Sequence, residues 1–161
     1  MNSLLVNQYE LLSGLFIENI AKHIPEEIAD LQPEGFSNTI RWNIGHVLFL
    51  TEQLVNFPER SADPLPAEYE KLFARGTRPS EWASEPPSLE ELAGHLKEQL
   101  ERFKRIPEER QSQVLQEPVE GMRTFEELAS LILVHNSMHV GIIFTMKQVI
   151  EHSLEKSAME A

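Results

Sequence analysis

The sequence has 161 residues, of which 41% are hydrophobic, enough for a globular protein with one core. A formal net charge of −12 excludes the basic face that binding to nucleic acid needs. The sequence contains no cysteine, which excludes disulfides and thiolate metal ligands and favours a reducing, cytoplasmic location.

The first predicted helix has Ser3 as its N-cap and ends near His23. Its apolar residues recur at helical spacing and form one wide stripe, made of Leu4, Leu5, Tyr9, Leu11, Leu12, Leu15, Phe16 and Ile20. The second predicted helix begins near Ser37 or Asn38 and ends near Phe57, before Pro58. Its inward stripe contains Trp42, His46, Phe49, Leu50, Gln53 and Phe57.

Gly45, next to His46, is unfavourable inside a helix by about 1 kcal/mol relative to alanine. It therefore indicates that another group approaches the second helix closely at this point.

Residues 58–87 are rich in proline and predict a long connection with a short helix at about residues 66–74, in which Tyr69, Leu72 and Phe73 pack inward. Such a connection either covers a site or simply crosses between bundle helices. The third predicted helix begins with the capping box Ser88 and Glu91 and ends near Arg105.

The fourth predicted helix begins with the capping box Thr124 and Glu127 and continues to Ile150. His135 and His139 lie one turn apart on its apolar face and can therefore reach one ion. A single core histidine is more often structural than a ligand. Two together without a shared partner would double the cost of burial, so a metal site is the more economical explanation.

Four amphipathic helices predict an all-α fold, a four-helix bundle with a long crossover between helices two and three. We expect one domain over residues 1–155 and a disordered tail over residues 156–161. No signal peptide and no continuous apolar run of about 20 residues is recognisable, so no membrane partner is expected. The bundle would bring His46 to His135 and His139. Tyr9, Asn43, Gln53 and Asn136 are candidates for contacts around the histidines or with a substrate, although residues of these types more often serve in packing or at the surface.

Three segments resemble the DinB/YfiT-like metalloproteins. Residues 35–46 are similar to the family's segment from tryptophan to glycine and histidine, and residues 81–92 are similar to its lead-in to helix three. Residues 124–141 resemble its helix with the H-x-x-x-H motif. The resemblance implies a four-helix bundle in which His46, His135 and His139 bind one divalent metal ion. Family members often carry glutamate and glutamine where this chain has Asn136 and Ile142.

A metal ion on three neutral imidazoles keeps its charge and an open position, so it can activate water or stabilise a thiolate. The resemblance implies a hydrolase or a transferase that uses a low-molecular-weight thiol. It also implies a homodimer and a small-molecule substrate. Zn²⁺ or Ni²⁺ is expected, with iron and manganese as alternatives, and no catalytic side chain is assigned. The alternative function is a dimeric metal-binding protein without turnover.

Overall fold

The computed structural model describes residues 4–55 and 65–160 and is mostly helical. The helices are α1 (Leu4–His23), α2 (Ile40–Val55), α3 (Tyr69–Phe73), α4 (Leu89–Lys104), α5 (Glu108–Gln111) and α6 (Phe125–Glu160). Two strands, β1 (Val114–Val119) and β2 (Met122–Thr124), form an antiparallel hairpin between α5 and α6. Short 3₁₀ turns occupy Glu26–Ile28 and Pro79–Glu81. The predicted ends at Ser3 and Phe57 lie outside the described residues.

The long helices pack as two connected pairs. Helix α1 contacts α4 and α6, and α2 contacts α6, α4 and the short helix α3. The prediction of an all-α fold is therefore confirmed at the level of a mostly helical protein. The predicted short helix in the connection is confirmed too, since α3 buries Tyr69, Leu72 and Phe73.

Local sequence sets the starts of the last two long helices as predicted. The Ser88 hydroxyl accepts a hydrogen bond from the Glu91 amide at 3.1 Å, at the start of α4. At the start of α6, the Thr124 hydroxyl accepts from the Glu127 amide at 3.2 Å, and the Glu127 carboxylate accepts from the Thr124 amide at 3.1 Å. The box at Thr124 is therefore reciprocal, whereas at Ser88 the hydroxyl caps the helix and the Glu91 carboxylate accepts a hydrogen bond from the Tyr69 hydroxyl at 2.9 Å.

The start of α2 differs from the prediction of Ser37 or Asn38. The helix begins at Ile40, and the buried Thr39 hydroxyl accepts a hydrogen bond from the Trp42 amide at 3.2 Å. Thr39 therefore acts as the N-cap, since its hydroxyl is the one that faces the free amides.

Arg41 anchors the first turn of α2. Its guanidinium is buried and donates to the carboxylates of Asp30 and Glu26 and to the Pro87 carbonyl. Glu26 also accepts from the Leu89 amide at 3.0 Å. The buried guanidinium of Arg41 thus joins the segment before α2 to the beginning of α4. Loss of either carboxylate partner would leave its buried charge poorly compensated and would destabilise the fold.

The sequence predicted a wider buried stripe than the structure shows. Three leucines of α1 and three apolar residues of α6 are exposed: Leu4, Leu11, Leu15, Met138, Ile142 and Val149. With Val134, which is also exposed, the α6 residues form a surface that we call the outer stripe (Val134, Met138, Ile142 and Val149). The neighbouring helices are too few to cover it.

Helix α6 is longer than the predicted helix, which ended at Ile150. It continues to Glu160, so residues 156–160 are helical and not a disordered tail. This end is rich in good helix formers, and Lys156 and Glu160 form an i,i+4 ion pair. An 18-residue window of α6 has a mean hydropathy of 1.5 and is 28% buried, so by length and composition alone the helix could cross a membrane.

Candidate metal centre

His46 is fixed on α2 by contacts on two sides. Its ring is buried and stacks on Trp42 with 4.6 Å between ring centroids. Its Nδ1 lies 2.7 Å from the carbonyl oxygen of Phe73, at the end of α3. Because a carbonyl oxygen only accepts, Nδ1 must carry the hydrogen, and Nε2 is left with a free lone pair.

His139 on α6 is held in the same way by Asn43 of α2. Its Nδ1 lies 2.7 Å from the Asn43 amide oxygen. The orientation of this amide is fixed, since the Asn43 nitrogen donates to the Thr39 carbonyl at 2.8 Å. His139 therefore also donates from Nδ1 and keeps a lone pair on Nε2.

His135 has the third such contact, with the neighbouring Asn136. Its Nδ1 lies 3.2 Å from the Asn136 amide oxygen, and the Asn136 nitrogen donates to the Thr51 hydroxyl at 3.1 Å. Tyr9 forms a hydrogen bond with the same hydroxyl, and burial raises the pKa of Tyr9 to about 12. The phenol of Tyr9 therefore stays neutral, and it helps to hold the Thr51 hydroxyl that accepts the hydrogen bond from Asn136.

The three histidines meet in one cluster. Ring centroids are 5.2 Å apart for His46 and His135, 5.0 Å for His46 and His139, and 4.5 Å for His135 and His139. One nitrogen from each ring lies within 4.8 Å of the others, an arrangement that could hold a metal ion. An oxygen acceptor on the second ring nitrogen is the usual companion of a metal-binding histidine, so the donor set fits a divalent ion.

The two remaining histidines of the second half of the chain lie elsewhere. His95 packs its ring edge-on against Tyr69 with 5.8 Å between centroids, and His152 is exposed. Neither joins the cluster.

Two rings of the cluster, those of His46 and His139, have lowered pKa values. Burial, followed by the nearby His135 and His46, lowers the pKa of His139 to about 4. Burial also lowers the pKa of His46, with further lowering from His135 and Arg75 and an opposing contribution from the Phe73 carbonyl. At neutral pH these rings are in the unprotonated form that binds a metal ion.

Acid is expected to destabilise the metal-free protein over a defined pH range. Between about 6.5 and about 4, His139 is neutral in the folded chain but protonated in the unfolded chain, which binds more protons. The free energy of unfolding should therefore fall as the pH drops through this range. Urea unfolding of chelator-treated protein at several pH values measures this, and an equal pH dependence in His139→Gln would contradict the assignment to His139.

The expected surroundings of the cluster are found for two residues, Asn43 and Asn136, which contact histidines directly. Tyr9 acts one step further away, through Thr51. Gln53 is exposed. Its predicted inward position is therefore wrong. Seven residues separate Gln53 from His46, so both lie on one flank of α2, but Trp42 and Phe73 cover this flank at His46, two turns away from Gln53.

Gly45 allows the closest contact at the site. A Cβ atom at this position would overlap ring carbons of Phe73, so the predicted close approach is confirmed. The same Phe73 supplies the carbonyl that orients His46. Sequence reasoning missed this carbonyl and Thr51, although Gly45 already indicated that some group comes close.

Gly45→Ala is expected to disturb both stability and the site. The methyl group must displace Phe73, and overpacking of this kind costs roughly 1–3 kcal/mol, partly offset by the better helix propensity of alanine. The displaced carbonyl would also release His46 and weaken metal binding. Chemical denaturation and metal titration measure the two effects. Gly94→Ala on α4 is the matched control, because nothing lies within 4 Å of its added Cβ; equal results for both variants would contradict this role of Gly45.

A cavity of about 560 Å³ opens beside the histidines. Its polar and charged lining consists of His46, Thr51, Arg75, Glu120, His135 and Asn136. Its apolar lining consists of Leu50, Leu54, Val119, Leu131 and Ile132. Val119 and Glu120 belong to the hairpin, which the sequence did not predict, and whose turn has positive φ at Glu120 (49°) and Gly121 (85°).

Comparison with known proteins gives one result. A family model described as the DinB superfamily matches residues 17–143, a range that includes all three clustered histidines. No curated protein sequence matches the chain.

Proposed function

The chain belongs to the DinB superfamily, and on that basis we propose that His46, His135 and His139 bind one divalent metal ion in a DinB-like four-helix bundle. Helices α1, α2, α4 and α6 would be the four bundle helices, with the connection between α2 and α4 as the crossover. The observation that carries the proposal is that all three rings face an oxygen at Nδ1, which leaves Nε2 free, while one nitrogen of each ring lies within 4.8 Å of the others. Three imidazoles without a carboxylate suit Zn²⁺ or Ni²⁺ better than manganese, with iron as the third choice.

Catalysis is favoured over metal binding without turnover. A purely structural site is closed by four protein ligands, whereas here three histidines cluster and two of them, His46 and His135, line an open cavity. A bound divalent ion would supply Lewis acidity there, for activating either a water or a thiol. The cavity would admit a small-molecule substrate next to the ligands.

Within this class, we propose a thiol-dependent transferase as the leading activity and a hydrolase as the second. A hydrolase gains rate from a general base that assists the metal in taking the proton of the attacking water. Asn136 cannot act as this base, because a carboxamide has no basic group that takes up a proton near neutral pH. Among the described residues that line the cavity, Glu120 is the one carboxylate, and it lies on the hairpin turn. A thiol with a low pKa loses its proton to solvent and needs no such base.

An assay of metal-loaded protein distinguishes the two activities. Protein loaded with Zn²⁺ or Ni²⁺ is incubated with esters, amides and alkylating electrophiles, with and without a low-molecular-weight thiol. Turnover that requires the thiol and survives Glu120→Gln supports the transferase. The hydrolase is supported if turnover occurs without thiol and is lost in Glu120→Gln. The control Glu117→Gln, on the exposed face of β1, should then retain this turnover. No turnover under any condition, despite bound metal, would support the non-catalytic alternative.

We also propose that the protein is a homodimer that covers the outer stripe. Four exposed apolar side chains lie on one face of α6, and three exposed leucines lie on α1, which packs against α6. Contiguous exposed apolar surface on a protein often marks an interaction site. A charged residue in this surface should break the dimer.

Met138→Glu is therefore expected to convert a dimer to a monomer, since it places a charge in the buried interface. Light scattering after gel filtration measures the mass. Gln116→Glu on the exposed face of β1 adds the same charge outside the outer stripe and is the control. A wild-type monomer, or a wild-type protein that binds lipid vesicles through α6, would contradict the proposed dimer.

A further inference from the structure

We propose that the cavity selects substrates that combine an apolar body with a carboxylate, and that Arg75 at the cavity mouth binds this carboxylate. The inference rests on the proposed function, because it assumes that the cavity next to the histidine cluster is the substrate site. It adds the chemical class of the substrate and a residue that determines specificity.

The inner wall of the cavity suits an apolar group. Leu50 and Leu54 come from α2, Leu131 and Ile132 come from α6, and Val119 closes the side from the hairpin. The polar atoms on this wall already have partners within the protein. Asn136 bonds to both His135 and Thr51, which leaves little capacity for further hydrogen bonds to a substrate. Apart from the open nitrogens of the histidines, this wall therefore offers a substrate mainly apolar contact.

The mouth of the cavity has the opposite character. Arg75 follows α3, and its side chain is 87% exposed. Among the described residues, its ion pair is with Glu120, whose side chain is 67% exposed, at 3.6 Å. This separation is longer than a hydrogen bond, and a pair this exposed contributes little to stability. A ligand can therefore displace Glu120 from the guanidinium at small cost.

The position of Arg75 relative to the cluster supports an inward role. Arg75 lines the same cavity as His46 and His135, so a ligand in the cavity can reach both the guanidinium and the cluster. A guanidinium binds a planar carboxylate through two parallel hydrogen bonds, which an ammonium group or an amide cannot reproduce. Arg75 thus offers orientation as well as charge.

The charge balance of the site favours an anion over a cation. Arg75 and Glu120 cancel in charge, and a divalent ion held by the three histidines would make the cavity positive. The chain as a whole has a net charge of −12. A positive cavity in an acidic protein would concentrate anions at its opening. The volume of about 560 Å³ lies in the range of cavities that hold small organic ligands.

Binding of two matched probes tests the inference without relying on turnover. Isothermal titration calorimetry of the chelator-treated and Zn²⁺-loaded protein uses 4-phenylbutyrate and its uncharged amide. We expect the carboxylate to bind at least about tenfold more tightly than the amide in both forms, as for a hydrogen bond to a charged group. Arg75→Gln should remove this preference, and Arg78→Gln, an exposed arginine that does not line the cavity, should keep it. Leu131→Trp, which fills the apolar part, should weaken both probes.

Equal affinity of the wild type for the two probes would overturn the inference, as would no binding of either probe. A preference that remains in metal-free Arg75→Gln would assign the carboxylate to another group and equally overturn it. The proposed function fails by a different result, the absence of bound metal in elemental analysis of the wild type. The two failures are therefore distinguishable.

Discussion

Replacement of both His135 and His139 by alanine is expected to abolish stoichiometric metal binding. The two residues lie on one face of α6 with ring centroids 4.5 Å apart, and each keeps a free nitrogen lone pair. Their removal leaves His46 as the sole imidazole of the cluster, and a single imidazole does not hold a divalent ion in a fixed geometry. Elemental analysis after dialysis against Zn²⁺ or Ni²⁺ should give about one ion per chain for the wild type and none for the variant.

The control for this experiment is the double variant His95→Ala and His152→Ala, which removes two histidines outside the cluster and should bind metal like the wild type. Full occupancy in the variant that lacks His135 and His139 would exclude the proposed ligands. Occupancy of the wild type should also persist below pH 6.5, the usual pKa of histidine, because the pKa values of His46 and His139 are lowered.

His46→Gln is expected to remove the stabilisation that metal gives to the folded protein. An ion that binds only the folded chain adds about 2.7 kcal/mol at a hundredfold excess over Kd, which corresponds to roughly 5–10 °C in Tm for a domain of this size. The variant loses one of three ligands but keeps a polar group of similar size. Thermal unfolding of chelator-treated protein, with and without added Zn²⁺ or Ni²⁺, should therefore show a shift in the wild type and almost none in the variant.

The outcome that would exclude His46 as a ligand is an equal metal-induced shift in both proteins. Trp42 gives an independent measurement, because its indole stacks on the His46 ring at 4.6 Å. Ni²⁺ bound at the cluster should quench the fluorescence of Trp42 in the wild type. The same titration of Trp42→Phe measures the quenching of Trp82 alone, so the difference from the wild type gives the quenching of Trp42.

Sequence alone was sufficient for the features that depend on local chemistry. The capping boxes at Ser88 and Thr124 fix helix starts through bonds between residues three apart, so short-range pattern predicts them. The spacing of His135 and His139 likewise follows from helix geometry. His46 was placed with them by its inward stripe and by the resemblance, and the structure brings the three together.

Other features depend on contacts between distant segments and could not be predicted. The Phe73 carbonyl lies 27 residues from His46 and is a main-chain group, so no side-chain pattern indicates it. The hairpin residue Glu120 meets Arg75 only after the chain has folded. Gln53 shared the helical spacing of the inward stripe, but the packing of neighbouring helices decides which edge of a stripe is covered. The homodimer and the cytoplasmic location remain predictions.

The distribution of the histidines over two helices has a consequence for the motions of the protein. His135 and His139 are on α6, which has no break over 36 residues, and His46 is on α2 with Trp42 and Phe73 around it. An ion shared by these rings would cross-link α2 and α6, so the two helices could separate only after a ligand dissociates. Backbone amides of α2 and α6 should then exchange with deuterium more slowly in the metal-bound protein. Amides of α1, which packs mainly against α4, should change little. In the metal-bound protein, local unfolding would therefore begin at α1 and not at the contact between α2 and α6.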